Sequence, residues 1–188
     1  MSKVILDMAM SLDGFVSGLN GEDRGLYDWY FSPSEDAEAV KSELMGSLGA
    51  MILGRRVFGD GANGFETPYK IPHFVLTHTP RATVERDGMQ FIFVKDGIHS
   101  ALERARQAAG DKDICIAGGA NTAQQFLQAG LIDELNIHLA PVLIGEGLRL
   151  FEHLGPQGAT LERIKALESA GVTHLYYRVL KNLVATIV

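Results

Sequence analysis

Apolar and polar positions along the chain follow two periods in turn, which predicts alternating strands and helices. Short, mostly apolar runs typical of buried strands occur at 4–10, 50–53, 73–77, 90–94, 113–117, 135–142 and 172–180. Between them, apolar residues recur at helical spacing. The first set is Ala37, Val40, Leu44 and Leu48, the second Ile98, Ala101, Leu102, Ala105 and Ala109, and the third Ala123, Phe126 and Leu127.

Capping residues suggest where these helices begin and end. Ser32 is the expected N-cap of the first helix, with Pro33 at its first position and Glu35 closing a capping box. Asp96 is the expected cap of the second helix and Gly110 its end. The third helix is expected to stop at Gly130.

This alternation predicts an α/β fold of three layers, with a mostly parallel central sheet and helices on both faces. The 188 residues suit a single domain, 1–188. Its core is expected at about 3–181, and the apolar tail at 182–188 is left unassigned.

Composition narrows the classes of function. The chain has 17 basic and 23 acidic residues, a net charge of −6, and no basic stripe, so we expect no nucleic-acid partner. No run approaches the roughly 20 apolar residues that cross a bilayer, and no signal peptide is evident. The single cysteine, Cys115, allows no intrachain disulfide and is expected in the core. A cytoplasmic protein without membrane contact is therefore expected.

One strand end is rich in glycine. The strand at 113–117 stops at Gly118 and Gly119, and a helix begins at once with Ala120, Asn121 and Thr122. Glycines let a ligand approach the backbone, and a helix N-terminus offers free N–H groups that suit a diphosphate. A tight turn without a ligand is the alternative. The segment lacks the G-x-G-x-x-G fingerprint, and the chain has no Walker P-loop.

Two further strand ends carry polar groups. Gly54, Arg55 and Arg56 follow one strand, and guanidinium groups fork onto phosphates. Thr77 and His78 follow another. Solvated surface is the alternative for the arginines, and Thr77 and His78 taken alone favour a solvated loop. Carboxyl ends of parallel strands share one edge of a sheet, so the three sets together predict a site for a diphosphate, an adenosine phosphate and adenine.

At these residues the sequence resembles the dihydrofolate reductase-like superfamily. Within it, the sequence is most similar to the C-terminal reductase domain of the bifunctional riboflavin-biosynthesis deaminase-reductase. The resemblance spans about 3–181. Its motifs are SLDGFV at 11–16, LGRRVF at 53–58, VLT at 75–77, GGA at 118–120, FL at 126–127, DEL at 133–135 and PVLIGEG at 141–147.

The resemblance implies NADPH as the hydride donor and a homodimer. It implies that Gly54, Arg55 and Arg56 bind the cofactor phosphates and that Thr77 and His78 lie near the adenosine. Gly118, Gly119, Ala120, Asn121 and Thr122 would hold the diphosphate, with a cis peptide at Gly118–Gly119. Asp13 would lie in a mobile loop beside the nicotinamide.

Catalysis by such a reductase needs a proton donor and a pocket for a flat ring. Asp13 and Glu35 are the candidate donors, although each also fits a turn or capping role. Trp29, Phe31 and Phe58 are the candidate substrate-binding residues, with a core or dimer role as the alternative. The zinc signature of a deaminase half cannot be built from one cysteine, and we expect no metal.

The leading hypothesis is a stand-alone NADPH-dependent reductase of the riboflavin-biosynthesis type, acting on a pyrimidine- or pterin-like small molecule. A dihydrofolate reductase is the enzymatic alternative and depends on Glu35. The alternative from another class is an NADP(H)-binding protein without turnover.

Overall fold

The computed structural model describes residues 2–59, 67–155 and 158–180. The apolar tail at 182–188 lies outside these ranges. The elements in chain order are β1 Val4–Ser11, β2 Phe15–Gly18, α1 Asp28–Phe31, α2 Glu35–Ser47, β3 Leu48–Gly54, α3 Arg55–Phe58, β4 His73–Leu76, β5 Val84–Arg86, β6 Met89–Val94, α4 Gly97–Ala109, β7 Asp113–Ile116, α5 Ala120–Gln128, β8 Glu134–Ala140, β9 Gly147–Arg149, β10 Thr160–Ser169 and β11 Val172–Leu180.

A nine-stranded sheet forms the centre of the fold, in the order β10-β11-β8-β1-β7-β3-β4-β6-β5. The strands from β8 to β6 in this order pair in parallel. Antiparallel strands extend both edges, with β11 and β10 at one and β5 at the other. Strands β2 and β9 form a separate small sheet. The predicted α/β class with a largely parallel sheet is confirmed.

The two faces of the sheet bury different cores. Alternate residues of the parallel strands, such as Leu6, Ile52 and Ile116, pack with α4 and α5 in the larger core. The opposite parity, including Leu53 and Cys115, packs with Phe58 of α3 and Leu44 of α2. Cys115 is 2% exposed, as expected of a core residue. Helices thus flank the sheet on both sides, and the site described below lies on the α2 side.

The first long helix begins later than its capping signal predicts. Ser34, not Ser32, is the N-cap, and its side chain accepts a hydrogen bond from the Ala37 amide at 3.2 Å. The capping-box prediction is therefore wrong, because Glu35 is the first helical residue and cannot reach back across a full turn. Serines on both sides of Pro33 gave two possible starts, and the N-cap-to-N3 geometry selects the second.

Four strands were not predicted from the hydrophobic pattern of the sequence. Strands β2, β5 and β9 have only three or four residues, too few to establish a period of two. Strand β10 is long but mostly exposed at the sheet edge, and its register shifts between Arg163 and Lys165. Such a shift moves apolar residues to the other face and hides the alternation.

No helix within the described ranges is both long enough and apolar enough to cross a membrane.

Gly49 permits the close approach of α4 to β3 and gives a test of this packing. A Cβ at Gly49 would lie 2.7 Å from both Cα and O of Ala109. Gly49→Ala should lower the free energy of unfolding by about 1–3 kcal/mol, because backbone must move to admit the methyl group. The measurement is urea unfolding.

The matched control is Gly46→Ala in α2, where a Cβ would meet no atom within 4 Å. This change should leave stability unchanged or raise it by up to about 1 kcal/mol, since alanine is the better helix former. Equal midpoints for the two variants would contradict the packing described at Gly49.

Candidate functional site

The carboxyl ends of β3 and β7 meet at one edge of the sheet. The Gly54 amide donates a hydrogen bond to the Gly118 carbonyl at 2.8 Å. A Cβ on Gly54 would lie 2.8 Å from Thr122 Oγ1. Two of the three sequence-predicted sets, Gly54 to Arg56 and Gly118 to Thr122, are therefore brought together. Because Gly54 pairs with Leu76 of β4, Thr77 follows at the same edge.

The paired glycines leave an open helix N-terminus. The Gly118–Gly119 peptide is cis, as the resemblance implies, and Gly118 has a φ of +89°. A side chain would be strained at this φ, and a Cβ there would lie 2.8 Å from Met8 Cε, the end of a flexible side chain of β1. The first intrahelical bond of α5 runs from the Ala123 amide to the Gly119 carbonyl. The amides of residues 120–122 precede it, an arrangement that suits an anion.

Cations and hydroxyls surround this edge. Arg55 and Arg56 open α3 directly after Gly54, and both are exposed. The Thr77 amide donates to the Val94 carbonyl at 3.0 Å, and Thr77 Oγ1 accepts from the Thr79 amide at 3.1 Å. This turn leaves His78 exposed. Glycine backbone, open amides and guanidinium groups are the donor set that a dinucleotide diphosphate needs, so the residues present fit such a cofactor.

A cleft of about 1000 Å³ adjoins this edge on the α2 side of the sheet. Its floor includes Met8 and Ala117, next to the paired glycines, and Val57 of α3. Its lining is mainly apolar, with the aromatic residues Tyr27, Trp29, Tyr30, Phe31 and Tyr69 around it. A ligand held at the glycines would therefore reach directly into a cleft suited to a flat ring.

The predicted substrate residues divide between the cleft and the core. Trp29 and Phe31 line the cleft, and Phe31 is 79% exposed. Phe58 is 1% exposed and packs edge-on against Phe91 and Phe93 at centroid distances of 5.2 and 5.1 Å. The substrate role expected for Phe58 is therefore wrong. The short helix α3 turns this side chain under the sheet edge, which its position in the motif did not reveal.

Asp13 anchors the loop that follows β8. Its carboxylate accepts hydrogen bonds from Ser11 Oγ at 2.6 Å and from the Ile144 and Gly145 amides at 3.1 and 2.7 Å. The Ser11 bond first, and then these amides, lower the pKa of Asp13 from 3.8 to about 2. Asp13 is also not among the residues that line the cleft, and its expected catalytic role stays a prediction. Asp13 joins the β1–β2 turn to the loop after β8.

Glu35 is also displaced from its expected role as proton donor. It is exposed at the start of α2 and is not among the residues that line the cleft. The acid of this helix that does line the cleft is Glu38, which binds Lys41 Nζ at 2.5 Å. The cleft is therefore reached by an acid one turn further along α2 than Glu35.

The acid on the floor of the cleft is Asp7, which sequence reasoning missed. Asp7 lies in β1, and its Oδ2 contacts Asn136 Nδ2 at 3.2 Å and His138 Nε2 at 3.1 Å. Its side chain is 16% exposed and that of His138 only 4%. The available signal was a charged residue inside an apolar strand, since such groups are rarely buried without a partner or a function. His138, in an equally apolar strand, is the second such signal.

Trp29 offers a further polar group in the cleft. Its side chain is 5% exposed, and its buried indole Nε1–H has no hydrogen-bond acceptor among the residues that the structure describes. Buried N–H groups nearly always have an acceptor. This buried donor without an acceptor belongs to a residue that lines the cleft.

Comparison with known proteins shows the family to which this chain belongs. The family model described as the RibD C-terminal domain matches residues 2–175. The chain belongs to the RibD C-terminal domain family. The riboflavin biosynthesis protein RibD of Corynebacterium ammoniagenes is 40% identical over 176 residues, which cover 87% of this chain and 50% of that protein. The chain thus spans half of that relative.

A relative of similar length and a solved structure complete the comparison. The uncharacterized protein YyaP of Bacillus subtilis is 29% identical over 93% of this chain and 94% of its own length. Dihydrofolate reductase from Enterococcus faecalis has the same fold. It superposes with a TM-score of 0.66 at 15% identity, over 95% of this chain and 97% of that one. The dihydrofolate reductase-like architecture expected from the sequence is confirmed for this RibD-type chain.

The hydrogen bonds of the Asp13 carboxylate should make the folding stability of this domain depend on pH at acidic values. A carboxylate whose pKa is lowered on folding stabilises the fold above its ordinary pKa, and that stability is lost as pH falls toward the folded value. The melting temperature of the protein should therefore exceed that of Asp13→Ala at neutral pH. The difference should shrink as pH falls from about 3.8 toward about 2.

Thermal melts across this pH range give the measurement. Glu146→Gln changes an exposed acid on the same loop. Its melting temperature should depend on pH in the same way as that of the unchanged protein. A difference between the protein and Asp13→Ala that stays constant down to pH 2 would contradict the anchor.

Proposed function

We propose that this RibD-type domain is an NADPH-dependent reductase that transfers a hydride to a pyrimidine- or pterin-like small molecule. One observation carries the proposal. The edge formed by Gly54, Gly118, Gly119 and Thr122 opens into an aromatic-lined cleft whose floor bears a carboxylate. A dinucleotide site and a pocket for a second molecule are thereby contiguous, as a transfer between two ligands requires.

The chain's residues divide the binding of NADPH between them. The amides of residues 120–122 face the diphosphate, and Gly54 and Gly118 keep the backbone clear of it. Arg55 and Arg56 pair with the phosphate that distinguishes NADPH from NADH, and Thr77 and His78 border the adenosine. When bound, NADPH supplies the hydride, and the protein orients the ring, excludes water and delivers the proton.

The cleft favours a flat ring with hydrogen-bonding edges. The rings of Tyr30 and Tyr69, which line the cleft, are placed to pack on the faces of such a substrate, and aromatic pairs of this kind are stabilising. The Asp7 carboxylate accepts from a ring or amino N–H, and the Trp29 indole donates to a carbonyl. Pyrimidines and pterins present both groups on one edge. This complementarity supports the proposed substrate class, with Asp7 in the role first expected of Asp13 and Glu35.

Fewer observations support the alternative functions. The case for a folate reductase depended on Glu35, which lies outside the cleft, and likeness at 15% identity shows the fold alone. A binding protein without turnover remains testable by the kinetics below. We also propose that the protein forms a homodimer, as the resemblance implies.

Removing a phosphate-binding arginine should distinguish the two nicotinamide cofactors. Arg55→Ala or Arg56→Ala should weaken NADPH binding by roughly ten- to hundredfold, the loss expected for one charge-assisted hydrogen bond. NADH binding should change little, because it lacks the extra phosphate. Quenching of Trp29, the only tryptophan, measures both affinities.

Arg178→Ala is the matched control, since Arg178 pairs with Glu162 near the opposite edge of the sheet. Its NADPH affinity should equal that of the unchanged protein. Equal losses for NADPH and NADH in the Arg55 and Arg56 variants would contradict their assignment.

Turnover should depend on Asp7. NADPH oxidation is followed with 5-amino-6-(5-phosphoribosylamino)uracil and, separately, with dihydrofolate. Asp7→Asn should lower kcat by about a hundredfold or more, as expected when a general acid is lost, while NADPH affinity is retained. Tight NADPH binding without oxidation by either probe would favour the binding-protein alternative. Full activity of Asp7→Asn would exclude Asp7 as the acid.

A further inference from the structure

A row of buried polar side chains runs from Asp7 away from the cleft. His138 Nε2 lies 3.1 Å from Asp7 Oδ2, and His138 Nδ1 lies 2.7 Å from His174 Nδ1. His174 Nε2 then lies 2.8 Å from Ser169 Oγ. We propose that Asp7, His138, His174 and Ser169 form a proton relay. It returns a proton to the Asp7 carboxylate from the far edge of the sheet. This inference rests on the proposed function, in which Asp7 delivers the proton.

Strand register builds the relay. His138 of β8 is directly opposite His174 of β11, and Asp7 of β1 is opposite Asn136, two residues before His138. All three titratable side chains therefore point to the same face of the sheet. His138 and His174 are 3% and 0% exposed, whereas Ser169 is only partly buried. The relay is thus sealed along its length and reaches the surface at Ser169.

The hydrogen bonds assign a direction to the relay. When Asp7 is a carboxylate, His138 Nε2–H must donate to it, so Nδ1 of a neutral His138 is an acceptor. His174 must then donate through Nδ1–H, which leaves its Nε2 as the acceptor of the Ser169 hydroxyl. Every donor points toward Asp7, and every group in the row is satisfied with both rings neutral.

Transfer of one proton reverses this direction without creating charge within the relay. The His138 Nε2 proton moves to Asp7 Oδ2, the His174 Nδ1 proton to His138 Nδ1, and the Ser169 hydroxyl proton to His174 Nε2. Ser169 takes a proton from solvent. The substrate gains the hydride from NADPH and the proton from the Asp7 carboxyl, so atoms and charge balance.

The surroundings of His174 keep its imidazole neutral. Burial first, and then His138, lowers the pKa of His174 to about 4. The Trp29 ring packs on His138 and His174 at centroid distances of 4.5 and 4.9 Å. Tyr176, opposite Asn136, has its pKa raised to about 12 by burial.

Other charged or titratable groups border this cluster without interrupting it. Burial likewise raises the pKa of the Tyr27, Tyr30 and Tyr69 phenols in the cleft, so they stay protonated. The flanking cations are paired, Lys41 with Glu38 of its own helix and Lys165, above the Tyr176 ring, with Glu43.

Nitrogen NMR on histidine-labelled protein, without any ligand, tests the direction. At neutral pH the spectrum should show His138 protonated at Nε2 and His174 at Nδ1, which are opposite neutral tautomers. Two identical tautomers, or an imidazolium at either position, would overturn the relay. Because no cofactor or substrate is present, this outcome is independent of the proposed function.

Exchange of the His174 Nδ1 proton with water tests transfer. Ser169→Ala removes the outer end of the relay, and Asp7→Asn removes the carboxylate that takes up the proton, so each should slow this exchange several-fold. A purely structural network predicts the reverse, since losing a hydrogen bond loosens the site and speeds exchange. Ser47→Ala, which alters a half-buried serine bonded to the Leu44 carbonyl, should change nothing. Faster exchange in both end variants would overturn the proposal.

NADPH titration of the same variants separates the two ideas. Unchanged affinity with slowed exchange supports the relay within a working cofactor site. If the protein and its variants all fail to bind NADPH while the tautomers and exchange are as expected, the relay stands and the proposed function fails.

Discussion

The site depends on the close approach of two strand ends. The hydrogen bond between the Gly54 amide and the Gly118 carbonyl holds β3 and β7 together at the point where both chains leave the sheet. A Cβ on Gly54 would lie 2.8 Å from Thr122 Oγ1, and the φ of +89° at Gly118 favours glycine. This contact fixes the direction in which α5 begins, and hence where its open amides point. It also brings the arginines of α3 to the same edge. The conjunction of donors follows from this one steric constraint.

A second constraint acts across the sheet. Asp7, Asn136, His138 and His174 place polar groups on a face where hydrophobic residues would otherwise lie. Burying such groups is costly unless each finds a partner. The register of β1, β8 and β11 supplies those partners in sequence, from the floor of the cleft to the sheet edge. The same register makes a polar network and an acid available to a bound molecule, which links packing to the proposed chemistry.

The acids illustrate how tertiary context separates similar residues. Asp13 follows a strand within a recognisable motif, yet Ser11 and two backbone amides hold it as a charged anchor. Glu35 begins a helix, yet it is exposed away from the cleft. Asp7 carries no motif but lies on the floor of the cleft. Their roles are set by which groups surround each carboxyl, and for Asp7 and Asp13 several of those groups come from residues more than 100 positions away.

The sequence by itself determined the elements whose signal is local. Period, turn residues and glycines located the parallel strands, the ends of α4, and the glycines at the ends of β3 and β7, because each depends on neighbours along the chain. Only the tertiary structure decided the start of α2, the burial of Phe58, the edge strand β10 and the cluster around Asp7. These depend on the pairing of distant strands, and in particular on which face of the sheet each side chain occupies. The role of a single polar residue in an apolar strand can be inferred only once its partners across the sheet are known.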